Sequence, residues 1–301
     1  VELSRPVPLA APLRDRVTDE LTAAGCDGWL WAQVTGAPET GRGLLPDATV
    51  PTASMYKLHV LGAVCRAFDT GDLDPAARVT ADPAAGPSWA VGLAQFADPV
   101  EMSVRDLARQ MIMVSDNLAA RQLLGLLPTT ALADVAAAVG LRHTTVVDPR
   151  SPAGQLPPVP AGSTGAEDAV RHVGTDPDAV AEPSLFFSTS TARELCATLD
   201  WFRGPDLSPG TAAYARGVLG SQVLRSRIPS GFPATGVTFH GKTGTVGAFR
   251  GETAEVAVAG EPAVTVSVMV RSARSGSNLP GVDASIGRLA RILVDDVRST
   301  F

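Results

Sequence analysis

The sequence predicts an α/β protein in which one sheet is built from the two ends of the chain and a helical domain is inserted between them. Strand-like segments lie near residues 29–44 and return at 237–270, while most of the chain between them follows helical spacing. Leu13, Val17 and Leu21 at helical intervals, followed by Gly25, read as an N-terminal helix with a glycine stop. Trp29-Leu30-Trp31-Ala32-Gln33-Val34 reads as a strand, and a Gly/Pro-rich turn leads to a short second one near Leu44. From Pro51 to about Leu224 the pattern is mainly helical, with stops at Asp69-Thr70-Gly71 and Val139-Gly140. Strands follow over 237–245, 255–259 and 263–270. In the last, Val264, Val266, Val268 and Val270 alternate with Thr265, Ser267 and Met269. Gly260-Glu261-Pro262 joins the final two as a hairpin, and Ile286, Leu289, Ala290, Leu293 and Val297 share one face of a closing helix. The expected division is an α/β sheet domain from 1–50 and 226–301, and an all-α domain from 51–225. Within the latter, residues 148–183 hold seven prolines and four glycines with little periodicity, the composition of a functional loop or lid.

Composition excludes several classes. Net charge is −6, against a nucleic-acid binder working through phosphate contacts. No apolar run reaches the length of a membrane span, and the first residues have neither the n-region nor the h-region of a signal peptide. The compartment stays open on that reading, cytoplasmic or exported and processed, and a monomer is expected. Three scattered cysteines suit neither a disulfide framework nor a zinc site, and His59, His143, His172 and His240 lack metal-ligand spacing, so no metal or cofactor is expected.

The basic residues carry more information. Only Lys57 and Lys242 are lysines, against 23 arginines. Coding bias explains arginine on the surface. The two exceptions mark places where a compact amine is needed, because a desolvated lysine can lose its proton and arginine cannot.

Ser54-Met55-Tyr56-Lys57 opens an almost wholly apolar helix. Residues i and i+3 share a helix face, so Lys57 can reach Ser54, and apolar surroundings should lower its pKa until it accepts the serine proton. The alternative is a capping serine beside a lysine that snorkels to water. Ser115-Asp116-Asn117 stands at a helix entry, where all three suit capping; functionally, Ser115 can relay a proton to a leaving group and Asn117 can hold a substrate amide. His240-Gly241-Lys242-Thr243-Gly244-Thr245 lies on a strand whose small residues let a substrate pair along the edge. There the Thr245 and Ser54 amides can form an oxyanion hole, Lys242 keeps the field positive, and Thr243 and Thr245 help anchor a carboxylate.

In order and spacing, Ser54-x-x-Lys57, Ser115-Asp116-Asn117 and Lys242-Thr243-Gly244 resemble the signatures of the serine β-lactamase and penicillin-binding-protein superfamily. The resemblance to class A β-lactamases runs over residues 28–300, through Pro51 to Lys57, Met102 to Leu107, Leu224-Arg225-Ser226 and Gly231-Phe232-Pro233. It implies an antiparallel five-stranded sheet flanked by terminal helices beside an all-α domain, with the active site between them. It also implies Ser54 as the acylated nucleophile, Lys57 as base, Ser115 as proton relay, Lys242 as electrostatic partner, and a β-lactam, ester or peptide-like amide as acyl donor. Arg250 falls close to an arginine that binds the substrate carboxylate in some class A enzymes, and Trp89 is a candidate cleft wall.

The match departs in one place. Class A enzymes carry Glu-x-x-x-Asn on the Ω-loop, the Glu activating the deacylating water, whereas Val147 to Gln155 holds no such pattern. Asp148 is the nearest carboxylate, and Glu167 and Glu182 lie further along. Acylation with slow or absent β-lactam turnover is therefore expected, and an esterase, D,D-peptidase-like or acyltransferase role competes.

Residues 236–243 also match G-x-x-x-x-G-K-T, the pattern of a P-loop nucleotide-binding protein. That motif must follow an apolar strand and open a helix, but here strand continues past Lys242, so the reading is disfavoured. A catalytically dead binding protein on the same fold is opposed by the intact Ser54 and Lys57.

Overall fold

A computed structural model describes residues 7–86, 91–148, 188–274, 276 and 278–300. The chain begins with a two-residue strand β1 (Val7–Pro8), helix α1 (Ala11–Ala24), and strands β2 (Cys26–Val34) and β3 (Ala37–Leu44). Gly25 closes α1 in the left-handed region at φ 63°, its amide returning to Leu21 and Thr22 carbonyls. The C-terminal part supplies β8 (Val237–Val246), β9 (Phe249–Val258), β10 (Val264–Ser272) and the long helix α8 (Pro280–Arg298).

The sheet order is β1-β3-β2-β10-β9-β8. Its five long strands are all antiparallel to their neighbours, as expected, and β1 adds a short parallel edge against β3. Alternation along β10 explains both faces. Val264, Val266, Val268 and Val270 pack against Leu13, Val17 and Leu21 of α1 and Ile286, Leu289 and Leu293 of α8. Thr265, Ser267 and Met269 face the other way, towards the inserted helices, and are equally buried. A strand covered on both faces by helices belongs at the centre of a layered α/β fold.

Between the two sheet halves come β4 (Val50–Pro51), a 3-10 turn (Ala53–Tyr56), α2 (Lys57–Thr70), β5 (Arg78–Ala81), β6 (Val100–Ser103), α3 (Val104–Met113), α4 (Asn117–Leu126) and α5 (Ala131–Val139). After the undescribed stretch follow β7 (Thr189–Ser190), α6 (Ala192–Trp201) and α7 (Pro209–Leu219). The inserted segment is thus not purely helical. β5 pairs with β6, and β4 pairs with β7 through Val50↔Ser190 and Pro51↔Thr189. Periodicity could not reveal strands of two to four residues, which are held by tertiary contact. Helix α2 is the hub of this part: Leu58, Val60, Leu61, Val64 and Cys65 are all sealed from solvent in one apolar cluster with α3, α4, α5 and α7. Among the described residues, no single helix is long and apolar enough to cross a membrane.

Candidate active site

The 3-10 turn before α2 sets the geometry of Ser54. With three residues per turn, i and i+3 eclipse, so Ser54 stands directly over Lys57. Met55 anchors the turn by burying its side chain against the sheet, where Thr253 Oγ1 donates to its sulfur at 3.7 Å. Ala53 is forced to φ 47°, a strained value for an L-residue next to the candidate nucleophile.

Lys57 is fully buried, and its Nζ donates to Ser115 O and Asn117 Oδ1 at 2.6 Å each, and to Ser54 Oγ and Ser115 Oγ at 3.3 Å each. Burial pushes its pKa down to about 7, against a smaller opposing pull from Asp116. A neutral amine has two hydrogens. The two short bonds use both, which leaves the lone pair for the Ser54 hydroxyl.

Lys242, on β8, reaches in from the other side and donates to Ser115 Oγ at 3.0 Å and Thr243 O at 2.8 Å. Burial pushes its pKa well down, with the Lys57 and Arg227 charges adding to the effect and Glu252 opposing it. Ser115 Oγ lies between the two amines, a position suited to passing a proton.

Ser115 holds φ 62°, and the residue after it explains how. Asp116 is completely buried, capping α4 through Ala119 N at 3.0 Å and accepting from Leu93 N at 2.6 Å and Gln110 Nε2 at 3.3 Å. Of the three residues that suited capping by sequence, Asp116 alone caps the helix, and Ser115 and Asn117 are turned to the lysines. Asp116→Ala strands two buried amides and releases the strained Ser115, so it should cost about 2–5 kcal/mol in a urea titration.

β8 lies tight against the turn that carries Ser54. A Cβ on Gly244 would come within 2.4 Å of the Thr52 carbonyl oxygen and 3.2 Å of Ala53 Cβ. Glycine is what lets the Gly244-Thr245 backbone run beside Ser54. Gly244→Ala should therefore push the strand away, lowering stability by about 1–3 kcal/mol and acylation at least tenfold, read by thermal melting and by adduct formation.

Ser54, Ser115, Asn117, Thr243, Gly244 and Thr245 line one cleft of about 540 Å³. Arg250 does not join them, which corrects its expected role at a substrate carboxylate. Its side chain is 1% exposed and pairs with Asp283 at 3.1 Å, and it also bonds the Gly276 carbonyl. The arginine that meets the cleft wall is Arg227, which donates to Gly244 O at 2.7 Å, Gly251 O at 2.8 Å and Thr245 Oγ1 at 2.6 Å while pairing with Asp283. Arg250 is the cross-strand partner of Thr245 and shares its sheet face, and it is the Asp283 carboxylate on α8 that draws its guanidinium away from the cleft.

Arg227, Gln222 and Glu252 are site neighbours that sequence reasoning missed. Gln222 and Arg227 follow α7 with no periodic signal, and a Glu such as Glu252, one of two in β9, reads as a surface residue until the covering helices are known. Trp89, Glu167, Glu182 and residues 149–183 lie outside the described residues. Asp148 is described, and its charge, after burial, raises the Tyr56 phenol.

The P-loop reading is overturned by the backbone. Residues 237–246 form β8, which turns directly into β9, so no helix opens at Lys242.

Two lysines converging on one serine hydroxyl, at the meeting of an antiparallel sheet and a helical cluster, define a protein of the serine β-lactamase and penicillin-binding-protein superfamily. The chain belongs to the Beta-lactamase enzyme family, which matches residues 12–297. It is 28% identical over 281 residues to the Beta-lactamase regulatory protein BlaB of Streptomyces cacaoi, covering 85% of this chain and 88% of that one. Solved structures share the fold. A β-lactamase of Sphaerobacter thermophilus superposes with TM-score 0.73 at 20% identity, covering 95% of this chain and 96% of its own. PBP-A superposes with TM-score 0.72 at 19% identity, covering 98% and 99%. A double mutant of the class A β-lactamase of the last common ancestor of Gram-negative bacteria superposes with TM-score 0.75 at 22% identity, covering 94% of this chain and 98% of its own.

Proposed function

We propose that this protein is a serine hydrolase that works through a covalent acyl-Ser54 intermediate and turns β-lactams over weakly or not at all. The observation that carries the reading is the buried Lys57 amine, 3.3 Å from Ser54 Oγ and pushed down to about 7. In the forward step Ser54 Oγ bonds to the acyl carbon as its proton passes to Lys57 Nζ, with the oxyanion held by the Ser54 and Thr245 amides. The bond to the leaving group then breaks, and that group takes a proton from Ser115 Oγ, which is resupplied by Lys57 or Lys242. Asn117 and Thr243 orient the donor. The two apolar clusters support a division into a sheet domain (1–50 and 226–301) and an inserted domain (51–225), with this cleft between them.

Family membership points to small-molecule β-lactam or peptide substrates. Weak hydrolysis follows from the sequence, which has no Glu-x-x-x-Asn after Ser115; loss of a positioned base slows the step it serves by about 10²–10⁴-fold. An ester or peptide-like donor, or transfer of the acyl group to another nucleophile, fits the same machinery. A second reading is favoured by the relative from Streptomyces cacaoi, whose name marks it as regulatory: a persistent acyl-Ser54 would serve as a β-lactam signal.

Intact-mass measurement after incubation with penicillins, cephalosporins and simple esters tests the proposal. A Ser54-dependent adduct lasting minutes or longer is the expected result. Rapid turnover with no detectable adduct overturns the deacylation defect, and slow turnover of esters with none of β-lactams separates hydrolase from sensor.

A further inference from the structure

We propose that Glu252, sealed behind strand β8, is a positioning residue for acylation: it orients Gln222, Gln222 fixes Thr243, and Thr243 holds Lys242 against Ser115. This deepens the acyl-Ser54 reading and rests on it, because the relay bears on chemistry only if Ser115 and Lys242 serve that serine.

The relay follows from which groups can donate and which can accept. β8 has a sheet neighbour on one side only. On the open side the Thr243 amide donates to Gln222 Oε1 at 2.8 Å, and the Thr243 hydroxyl donates to the same atom at 3.1 Å. A side-chain amide has one accepting end and one donating end. With Oε1 committed to Thr243, Gln222 Nε2 must meet an acceptor, and it donates to Glu252 Oε1 at 2.9 Å. The other carboxyl oxygen, Oε2, accepts from Ile228 N at 2.7 Å. Both oxygens of Glu252 therefore face N–H donors, a demand that an ionised carboxylate meets and a side-chain amide does not.

Thr243 carries the relay on to the lysine. Its carbonyl accepts from Lys242 Nζ at 2.8 Å, and that amine also donates to Ser115 Oγ at 3.0 Å. Glu252 itself does not line the cleft. It is 1% exposed, with Gln222 at 7% and Thr243 at 6%, so a partner lost from this chain of contacts is not replaced by bulk water.

The charge of Glu252 is tied to the same site. Burial pushes its pKa up to about 7, while the Ile228 amide, Arg227 from the segment after α7, Gln222 and Lys242 from β8 pull the other way. In turn Glu252 favours the charged form of Lys242, which burial, Lys57 and Arg227 oppose. Arg250, two residues back on β9, is held with Arg227 by Asp283 of α8, and β10 sets Val268 opposite Glu252.

Acylation rates read by intact mass on folded protein test this. Glu252→Gln offers one acceptor where two are needed, and Gln222→Glu sets two carboxylates face to face; each should slow acylation by benzylpenicillin about 10–100-fold. Together the two substitutions exchange the polarity of the relay. The carboxylate at 222 then accepts from Thr243 and from the amide at 252, whose oxygen still accepts from Ile228 N, so the rate should recover to within about threefold of wild type. The pH profile separates positioning from a merely structural role. In the wild type, acid protonates Glu252 as well as Lys57, so the acid limb should be steeper than a single titration, and in Glu252→Gln it should relax to one. A wild-type rate in Glu252→Gln, no recovery in the double variant, or an acid limb that the substitution leaves unchanged overturns the proposal while leaving acyl-Ser54 intact. Should Glu252→Gln fail to fold, Gln222→Met removes the same contacts at similar length, and acylation at the wild-type rate there overturns the relay. No adduct with benzylpenicillin or with p-nitrophenyl acetate overturns the acyl-Ser54 reading and this one with it.

Discussion

Ser54→Ala is expected to abolish adduct formation with every acyl donor, reducing acylation by about 10⁴-fold or more. What remains would come from binding and the oxyanion amides alone. The fold should survive, because the turn is held by Met55 against the sheet and by Thr52, whose amide and hydroxyl both donate to Ser188 O at 2.9 Å. The lost Lys57–Ser54 contact is the weak one at 3.3 Å, so the melting temperature should move by no more than about 2 °C. Parallel mass spectrometry and thermal melting check both halves. An adduct of equal mass and rate in the alanine variant would move the nucleophile elsewhere and end the proposed mechanism.

Replacing Lys57 should be nearly as severe, and it separates charge from basicity. Lys57→Arg keeps a cation that cannot be deprotonated, and Lys57→Met removes the charge; both should lower acylation on the order of 10²–10⁴-fold if the amine acts as base. As a base the amine would be active only when neutral, so on the proposed mechanism the acylation rate should climb with pH and level off above about 7. A profile that is flat from pH 5.5 to 8.5 would exclude this role.

Stability follows the same titration. Lys57 is lowered from 10.5 to about 7 on folding, so between those values the unfolded chain binds a proton that the folded chain lacks. Stability therefore rises with pH across that window, by up to about 1.4 kcal/mol per unit from this group. Lys242 is lowered too and contributes in the same direction. Lys57→Met should be more stable than wild type at pH 7 and show a shallower rise towards pH 9, measured by urea denaturation.

Ser54 and Lys57 were legible because their relation is local: three residues along a helical turn bring the groups together whatever the rest of the chain does. The valine alternation of β10 and the apolar stripe of α8 were legible for the same reason, since period alone assigns each residue a face. Recognition of Ser115 and Lys242 needed the family signatures, because nothing local ties them to Ser54 across separations of 61 and 188 residues. Arg250 shows the limit. It is the cross-strand partner of Thr245 and shares its sheet face, but Asp283 of α8 takes its guanidinium, a pairing between distant segments that composition does not set.

The chain's own pattern thus determined the layered α/β architecture, the pairing of Ser54 with a nearby amine, and the lack of any Glu-x-x-x-Asn pattern after Ser115. Tertiary structure alone decided which arginine backs the cleft, that Gln222 bonds Thr243 with Glu252 behind it, and that Val91, Val223 and Leu224 share the cleft with Ser115. The reason is range: backbone periodicity acts over a few residues, while burial, desolvation and hydrogen-bond competition depend on which distant segments the fold presses together.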